Sequence, residues 1–428
     1  MLPTKIVLRA LAVIPILALV LLHSPPARAD NILAQSGAQS LLIDPSIRSS
    51  AMGNSSNAVF WGSGTNYWSN PALLAYHSGI EYEWGRTQLV PDLAEDVFFA
   101  TKRLTLGYGG VGFLVAGKPI TDVGGSRLNY GVSIATDVDG NELGRFTSYE
   151  DTQSFAAGVN VLEFAERALQ LGGMELPALS RFGDVALGWS EKRTHVFLAP
   201  ADLTLDRLSS EGYVTTHDSG VLVRVTPYDA IDSKGFLWGL DRRMAVRLDL
   251  SYGGSTQNYN NATISYNDQN AYPVLRSQIK GWAIRAALDP PHWMNERVRS
   301  HRYGWLVDVI SPLLSVGRTG TKQLPMVPDA TTGGLRSGTR IERSGWEITL
   351  ANIYSLRGGK IDDPAGMIQG HSSGWGIGVH LKDLAGFSYD RATIPQSIYL
   401  RPVHRKALSF YLNPLRAWDM VHGRKHSV

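Results

Sequence analysis

The stretch IEYEWGR, residues 80–86, decides the fold because its side chains alternate in character. Tyr82 and Trp84 fall on one side of an extended chain, whereas Glu81 and Glu83 fall on the other. Successive side chains of a β-strand point to opposite faces of the sheet, so this period of two predicts a strand with one apolar and one charged face.

The same alternation returns along most of the chain, between turn-forming residues. In residues 244–254 apolar side chains alternate with Arg247 and Asp249, and in residues 281–288 Arg285 lies opposite apolar neighbours. Apolar faces towards lipid and polar faces towards a lumen are typical of outer-membrane barrels, and we count about a dozen to fourteen such segments. The predicted fold is an all-β, transmembrane antiparallel β-barrel, and the predicted lumen-facing polar residues are Glu81, Glu83, Arg247, Asp249 and Arg285.

The first residues have the pattern of a secretory signal peptide. A cationic start and an apolar run over residues 11–22 precede Ala27-Arg28-Ala29, which matches a cleavage site. We therefore expect residues 1–29 to be removed on export. The remaining sequence has no apolar run of the roughly 20 residues that a spanning helix needs. The chain contains no cysteine, which excludes disulfides and thiol catalysis.

Several connections between the predicted strands have signals of their own. Residues 163–174 have helical periodicity and predict a short helix, and the tripeptide DGN at residues 139–141 predicts a hairpin turn. Residues 258–273 and 317–338 are polar and rich in turn formers. We expect both to be long extracellular loops, because such loops are longest on that side of a barrel.

No pattern in the chain indicates catalysis, a cofactor or a metal site. The histidines are scattered without metal-ligand spacing, and Asp137, Asp139 and Glu142 lack the spacing of a calcium-binding loop. Nucleophile elbows, zinc-protease helices and phosphate-binding loops are absent in fitting contexts. The net charge of +3 is too small to indicate a nucleic-acid partner. We therefore expect a protein that is not an enzyme, with no bound cofactor.

The segment SNPALLAY, residues 69–76, follows a run of small and polar residues. Asn70 is a favourable helix N-cap and Pro71 suits the first helical position, so a short helix is predicted here. The same tripeptide, Asn70-Pro71-Ala72, also stands directly before the first alternating strand. The segment is thus either an ordinary helix start or the junction between a plug and a barrel wall.

Residues 48–74 carry a likeness to a known family. An arginine, a Met-Gly step, a small-residue turn and an Asn-Pro-Ala tripeptide follow in order, at Arg48, Met52, Gly53, Ala58, Asn70, Pro71, Ala72 and Leu74. This order resembles the N-terminal motif of the outer-membrane family that includes PorV, PorQ and the FadL-like long-chain fatty-acid transporters. The resemblance implies a barrel of about fourteen strands over residues 79–412. It also implies a plug, or hatch, over residues 30–78, and residues 413–428 would form a periplasmic tail.

The resemblance leaves two functions open, and both place the chain in the outer membrane of a Gram-negative cell. FadL-like proteins move hydrophobic compounds, whereas PorV-like proteins serve type IX protein secretion. The expected partners are outer-membrane lipid, together with hydrophobic small molecules or with secreted proteins and their machinery. A third possibility, independent of the resemblance, is a soluble β-rich binding protein, because a soluble sandwich shows the same alternation.

Overall fold

A computed structural model describes residues 37–62, 64, 66–91, 94–116, 125–173, 180, 182–203, 210–226, 245–266, 271–289, 309–328, 334–381, 384–397 and 400–414. The predicted signal peptide and all of the predicted tail after residue 414 lie outside the described residues. Within these ranges, no helix is long and apolar enough to cross a membrane.

Strands dominate the described residues. In chain order they are β1 (Gly79–Gln88), β2 (Val97–Tyr108), β3 (Val111–Ala116), β4 (Ser126–Thr136), β5 (Glu142–Asn160), β6 (Gly183–Ala199), β7 (Ser210–Val225), β8 (Ala245–Gln257), β9 (Thr263–Ser265), β10 (Ala271–Pro273), β11 (Arg276–Asp289), β12 (Leu314–Pro328), β13 (Leu335–Ser337), β14 (Ile341–Leu350), β15 (Tyr354–Asp363), β16 (Ile368–Leu381), β17 (Ala385–Ile394) and β18 (Val403–Leu412).

Helices are few and short. The α-helices are α1 (Ile47–Ala51) and α2 (Val161–Leu171), and the 3₁₀ helices span Gln39–Leu42, Pro71–Tyr76 and Ala201–Leu203. Helix α2 connects β5 to β6, which confirms the short helix predicted over residues 163–174. The predicted hairpin turn is confirmed as well, because Gly140 lies between β4 and β5 with a φ of 85°.

The strands close into a barrel, which confirms the predicted fold class. β1 pairs antiparallel with β2 on one side and with β18 on the other, where Ile80 faces Leu412 and Trp84 faces Leu408. Fourteen strands form the wall when β3 and β4 count as one and the short β13 is left aside. Closure removes the free sheet edges, so every wall strand can pair on both sides. We name the end where β1 begins and β18 ends the proximal end, and the opposite end the distal end.

β3 and β4 are two parts of one wall strand, because both lie between β2 and β5. The last residue of β3, Ala116, pairs with Ser154, whereas the first residue of β4, Ser126, pairs with Thr152. Only one residue of β5 therefore separates the partners of positions 116 and 126. The third wall strand is interrupted at this point, and residues 117–124 lie outside the described residues.

The two faces of the wall differ as the alternation predicts. On β18, Phe410 and Leu412 point outward and are about half exposed, whereas Arg405 and Ser409 point inward and are buried. Exposed apolar residues surround the barrel, among them Phe155, Leu187, Trp189, Trp282, Ile284, Trp346, Leu356, Ile377 and Phe387. A soluble protein would leave this apolar band in water, which is unfavourable, whereas a membrane covers it with lipid tails.

The described part of residues 37–78 lies inside the barrel and is almost entirely buried. Its largest apolar cluster joins Phe60, Trp61 and Leu73 to wall residues such as Ala186 and Leu222. We refer to this segment as the plug. Because β1 follows it directly at Gly79, the chain passes from the lumen into the wall without a long connection.

One predicted connection is wrong. Residues 317–338 do not form a long loop, because β12 continues to Pro328. The hydroxyl groups of Thr319 and Thr321 point inward and donate hydrogen bonds to the carbonyl oxygen of Ser55 in the plug. Small polar residues that face a polar lumen have the composition of a loop, which explains the error.

Barrel closure predicts an efficient cross-link between the first and last strands. Tyr82 faces Phe410, so Tyr82→Cys with Phe410→Cys should form a disulfide on oxidation, and the chain has no native cysteine that competes. Non-reducing electrophoresis of the denatured protein should reveal the resulting ring by its altered migration. The matched control is Tyr82→Cys with Ser409→Cys, whose side chains lie on opposite faces and should remain uncross-linked. Equal cross-linking of both pairs would contradict the register.

Candidate functional site

A row of glycines on the inner face of the wall forms the surface against which the plug packs. Gly107, Gly112, Gly158, Gly188 and Gly220 lie directly opposite one another across β2, β3, β5, β6 and β7. We call these five residues the glycine row. Adjacent strands are about 4.8 Å apart, so the row spans roughly 19 Å across the inner face of the wall.

The backbone of the plug lies directly against this row. A Cβ atom at Gly158 would stand 2.8 Å from the amide nitrogen of Ala75 and 2.9 Å from the carbonyl oxygen of Pro71. One at Gly188 would overlap the amide of Ala72, and one at Gly112 would overlap the carbonyl oxygen of Leu74. The 3₁₀ helix therefore crosses the strands at a distance that only glycine permits.

Asn70 connects the start of this helix to both the plug and the wall. Its side-chain oxygen accepts a hydrogen bond of 3.1 Å from the amide of Ala72. Its side-chain nitrogen donates to the carbonyl oxygens of Asn57, at 3.0 Å, and of Val221 in β7, at 3.2 Å. The residue is fully buried, so these bonds form away from water. Asn70 thus caps the helix and also joins the plug to the wall through hydrogen bonds.

Arg48 anchors the opposite side of the plug. Its guanidinium group donates two hydrogen bonds, of 2.7 and 2.8 Å, to the carboxylate of Glu347 in β14. Glu347 also accepts from Arg357 in β15 at 2.6 Å, and Arg357 in turn contacts Asp390 in β17. The indole of Trp61 donates a further bond to Glu347. A buried carboxylate shared by two arginines is stabilised as an anion, because each N–H···O bond is charge-assisted.

Four other cations of the wall are each covered by an aromatic ring of the plug. Arg103 lies 4.6 Å from the ring centre of Tyr67, and Lys192 lies 3.7 Å from that of Trp68. Arg224 approaches Phe60 and Tyr76, and Arg285 approaches Trp61. Each cation also pairs with a wall carboxylate, in the pairs Arg103–Glu83, Lys192–Asp218, Arg224–Asp184 and Arg285–Asp249. Ion pairs and cation–π contacts together compensate for the loss of water around these charges.

Burial controls the ionisation of the plug groups at this interface. Burial, assisted by the nearby Asp184 carboxylate, raises the pKa of Tyr76 well above its usual value, so the phenol remains protonated and donates to Asp184. Burial likewise raises the pKa of Tyr67. The pKa of His77 is lowered by burial, against the opposing effect of Glu81. The plug therefore meets the wall with neutral rings.

The structure brings the residues of the predicted plug motif to the wall. The Met52 carbonyl lies against Gly345 and Gly359, which face each other on β14 and β15. Gly53 follows with a φ of 69°, a conformation that favours glycine. Pro71 and Ala72 lie over the glycine row.

The five predicted lumen residues fall into two separate groups. Glu81 and Glu83 are buried on the inner face of β1, where Glu83 pairs with Arg103. Asp249 is buried on β8 and accepts from Arg285 at 2.6 Å, and Arg247 is 3.5 Å away with a partly exposed side chain. The two groups contact different parts of the plug, so they do not form one site.

Several residues of the interface were missed from the sequence. They are Arg103, Asp184, Lys192, Asp218, Arg224, Glu347, Arg357, Asp390 and the glycine row. A usable signal existed for the glycines, because each of them stands at an inward position of its alternating strand. The charged pairs join residues far apart in sequence, so no local pattern identifies the partners.

The described residues of this region form a support for the plug. Within the described residues, no group of three or more His, Asp or Glu side chains is placed to hold a metal ion. A cavity of about 340 Å³ lies on the proximal side of the plug. Arg48, Glu347, Arg357 and Asp390 line it towards the plug, and Tyr411 lines it near the end of β18.

Comparisons with solved structures return matches of low TM-score and low identity. The chain is similar to the toluene transporter TbuX of Ralstonia pickettii, with a TM-score of 0.36 and 10% identity over 87% of this chain and 98% of that chain. It is similar to the toluene transporter TodX of Pseudomonas putida (TM-score 0.34, 10% identity, 86% and 97% covered). It is also similar to a FadL homologue of Pseudomonas aeruginosa (TM-score 0.37, 9% identity, 86% and 98% covered). No protein-family profile and no curated protein sequence matches the chain.

Filling one position of the glycine row should displace the plug. In Gly188→Ala the new methyl group overlaps the backbone of Ala72, and overpacking of this kind costs about 1–3 kcal/mol. We expect a several-fold rise in single-channel conductance in planar bilayers. Gly254→Ala is the control, because its Cβ would meet only Val221 at 3.5 Å. Wild-type conductance in Gly188→Ala would show that the contact does not hold the plug.

The substitution Asn70→Asp distinguishes the two roles of Asn70, as the helix N-cap and as a hydrogen-bond donor to Asn57 and Val221. Aspartate retains the acceptor for the Ala72 amide but loses both N–H donors, so the carbonyls of Asn57 and Val221 each lose a hydrogen bond and face a buried carboxylate instead, at a cost of about 1–3 kcal/mol per lost bond. We expect Asn70→Asp and Asn70→Ala to raise permeability to a polar antibiotic to a similar extent, while folded barrel is still recovered. If Asn70→Asp behaves like the wild type and only Asn70→Ala leaks, the residue is a plain helix cap.

Proposed function

We propose that this protein is an outer-membrane transporter that admits a small apolar molecule through its wall, beside the plug. One observation supports this function above the others. Where the third wall strand is interrupted after Ala116, the contact between plug and wall is apolar. Tyr67 and Leu74 of the plug pack there against Leu114, Ala116 and Ala156 of the wall. We call these five residues the apolar seam.

The apolar seam differs from the nearby contacts of the plug. Arg48, Tyr76 and Trp68 meet charged groups of the wall, whereas the only polar group of the seam is the Tyr67 hydroxyl, which accepts a hydrogen bond from Arg103 at 2.7 Å. The other four side chains are ones that an apolar molecule can contact without loss of hydration. Leu114 and Ala156 are almost completely buried, so the seam lies inside the wall and not on its surface. An interruption of the wall at this position would connect the seam with the apolar interior of a bilayer.

Passage to the proximal side requires a movement of the plug. The plug separates the apolar seam from the 340 Å³ cavity, and the 3₁₀ helix Pro71–Tyr76 lies between them against the glycine row. Displacement of this helix breaks the Asn70 bonds and the bond from Tyr76 to Asp184, but leaves the Arg48–Glu347 anchor on the far side of the lumen. The anchor then retains the plug in the barrel while the seam opens.

Protein secretion of the PorV/PorQ type is the second function that the sequence suggested. A plug held on several sides leaves no passage for a polypeptide among the described residues, so this role would depend on surfaces outside the lumen. No described surface favours cargo binding over transport, and we therefore propose transport.

An uptake experiment tests the proposal. Cells that lack this protein should take up toluene or oleate several-fold more slowly than complemented cells, while uptake of glucose is unchanged. If the uptake of both apolar probes is unchanged and the amounts of secreted proteins fall, the transport proposal is wrong and a role in protein secretion is supported instead.

The seam itself is tested by a matched pair of substitutions. Leu114→Asn places an amide in the apolar seam and should lower apolar uptake about fivefold or more, because an unpaired buried amide costs about 1–3 kcal/mol. Val327→Asn is the control, since Val327 is almost as buried as Leu114 but packs with Leu275 in a cluster that contains no plug residue. Equal effects of the two variants would contradict a path through the seam.

A further inference from the structure

Four basic side chains lie close together on the lipid-facing side of the wall. Arg391, Lys406 and Arg86 face one another directly across β17, β18 and β1. Lys102 of β2 pairs with Trp84, two residues from Arg86 on the same face. We call these four residues the basic strip. All four are exposed, and across three strands the aligned row is roughly 10 Å wide.

The basic strip has no anionic partner among the described residues. The outward positions of β16, β17, β18, β1 and β2 carry no aspartate or glutamate. Arg86 lies instead over the ring of Phe98, at 4.3 Å. The nearest carboxylates in sequence, Glu83 and Asp390, point inward and pair with Arg103 and Arg357. In the connection beyond β1, Asp96 accepts the amide of Val132 at 2.6 Å.

Three outward cations elsewhere on the barrel are balanced by neighbouring carboxylates. Arg127 pairs with Asp151, Arg193 with Glu191, and Lys322 with Glu342, at 2.5, 2.7 and 3.3 Å. Like charges that lie directly opposite each other destabilise a sheet. The row Arg391–Lys406–Arg86 therefore carries a repulsion that an external anion would relieve.

The position of the strip indicates what kind of anion this is. On β1 the outward residues before Arg86 are apolar up to Trp84, and on β17 Tyr389 precedes Arg391. Trp and Tyr mark the border between lipid tails and headgroups. The strip follows this border by two residues, about 7 Å along a strand, and so lies at headgroup level on the distal side. A ligand held there has its charge beside the strip and its apolar part against Trp84 and Tyr389.

We propose that the basic strip binds the phosphate groups of a phosphorylated lipid in the membrane leaflet at the distal end. Lysine and arginine donate charge-assisted hydrogen bonds to phosphate oxygens, and the row is wide enough for a headgroup with two phosphates. The lipid tails then cover the apolar residues of β17, β18, β1 and β2. Bound lipid thereby stabilises the pairing of β1 with β18, where the barrel closes.

Lipid titration of the full-length, detergent-purified protein tests this site. Intact-protein mass spectrometry should detect retained diphosphorylated lipid A, with weaker retention of the monophosphorylated form and little of a dephosphorylated form. Binding should weaken with added salt, as expected for charge-assisted contacts at an exposed site. If the wild-type protein retains the three lipids equally, the proposal is wrong whatever the variants show.

Matched variants locate the site. The triple variant Arg86→Gln, Arg391→Gln, Lys406→Gln should bind diphosphorylated lipid A at least about tenfold more weakly, since each surface cation near a membrane contributes about 1 kcal/mol. The control triple Arg127→Gln, Arg193→Gln, Lys322→Gln removes the same charge from acid-paired positions and should bind like the wild type. If both triple variants lose the same affinity for diphosphorylated lipid A, the effect depends only on net charge and the proposal is wrong. Displacement by inorganic phosphate at equal concentration would assign the strip to free anions instead.

Discussion

The lumen of a fourteen-stranded barrel must be filled, and most of this structure follows from that requirement. Wall side chains fill the interior of a barrel of about eight strands, but a wider barrel leaves space at its centre. Here the plug occupies that space. The wall accommodates it in two ways, with glycines where the backbone of the plug comes closest and with charged pairs where its side chains reach the wall.

The glycine row and the ion pairs have different physical roles. Glycine reduces the distance between two backbones, so Gly158 and Gly188 allow the helix Pro71–Tyr76 to lie flat on the wall. The ion pairs fix the orientation of the plug relative to the wall. Glu347 accepts from Arg48 and Arg357 together, and removal of either arginine leaves a buried charge with fewer partners. Close packing thus sets the position of the plug, while the charges set its orientation.

Asymmetry around the lumen gives the plug a fixed side and a movable side. The Arg48 anchor lies at β14 and β15, whereas the helix at the glycine row is held by the wall bonds from Asn70 to Val221 and from Tyr76 to Asp184, and by packing. The apolar seam lies beside that helix, and the interruption of the third strand lies beside the seam. The apolar seam thus adjoins a part of the plug that the Arg48 anchor does not contact.

Period-two alternation made the wall predictable from sequence, because a half-buried strand records its environment in every second residue. Alternation at IEYEWGR predicted an inward Glu83 and an outward Trp84, and both lie as expected. The method failed over residues 317–338. Thr319 and Thr321 face the plug and not an apolar core. The side chains of this strand therefore do not alternate clearly between apolar and polar. The short helix at Pro71 was also predictable, since capping depends on neighbouring residues alone.

By itself, therefore, the sequence determined the strands, their faces, the helix start at Asn70 and the order of plug before wall, because each depends on residues a few positions apart. Only the tertiary structure decided which charges pair, that five glycines align into one row and that four cations with no carboxylate partner among the described residues meet on the outer surface. Those features join strands from both ends of the chain. Their spacing is set by sheet register and barrel closure, which no local pattern records.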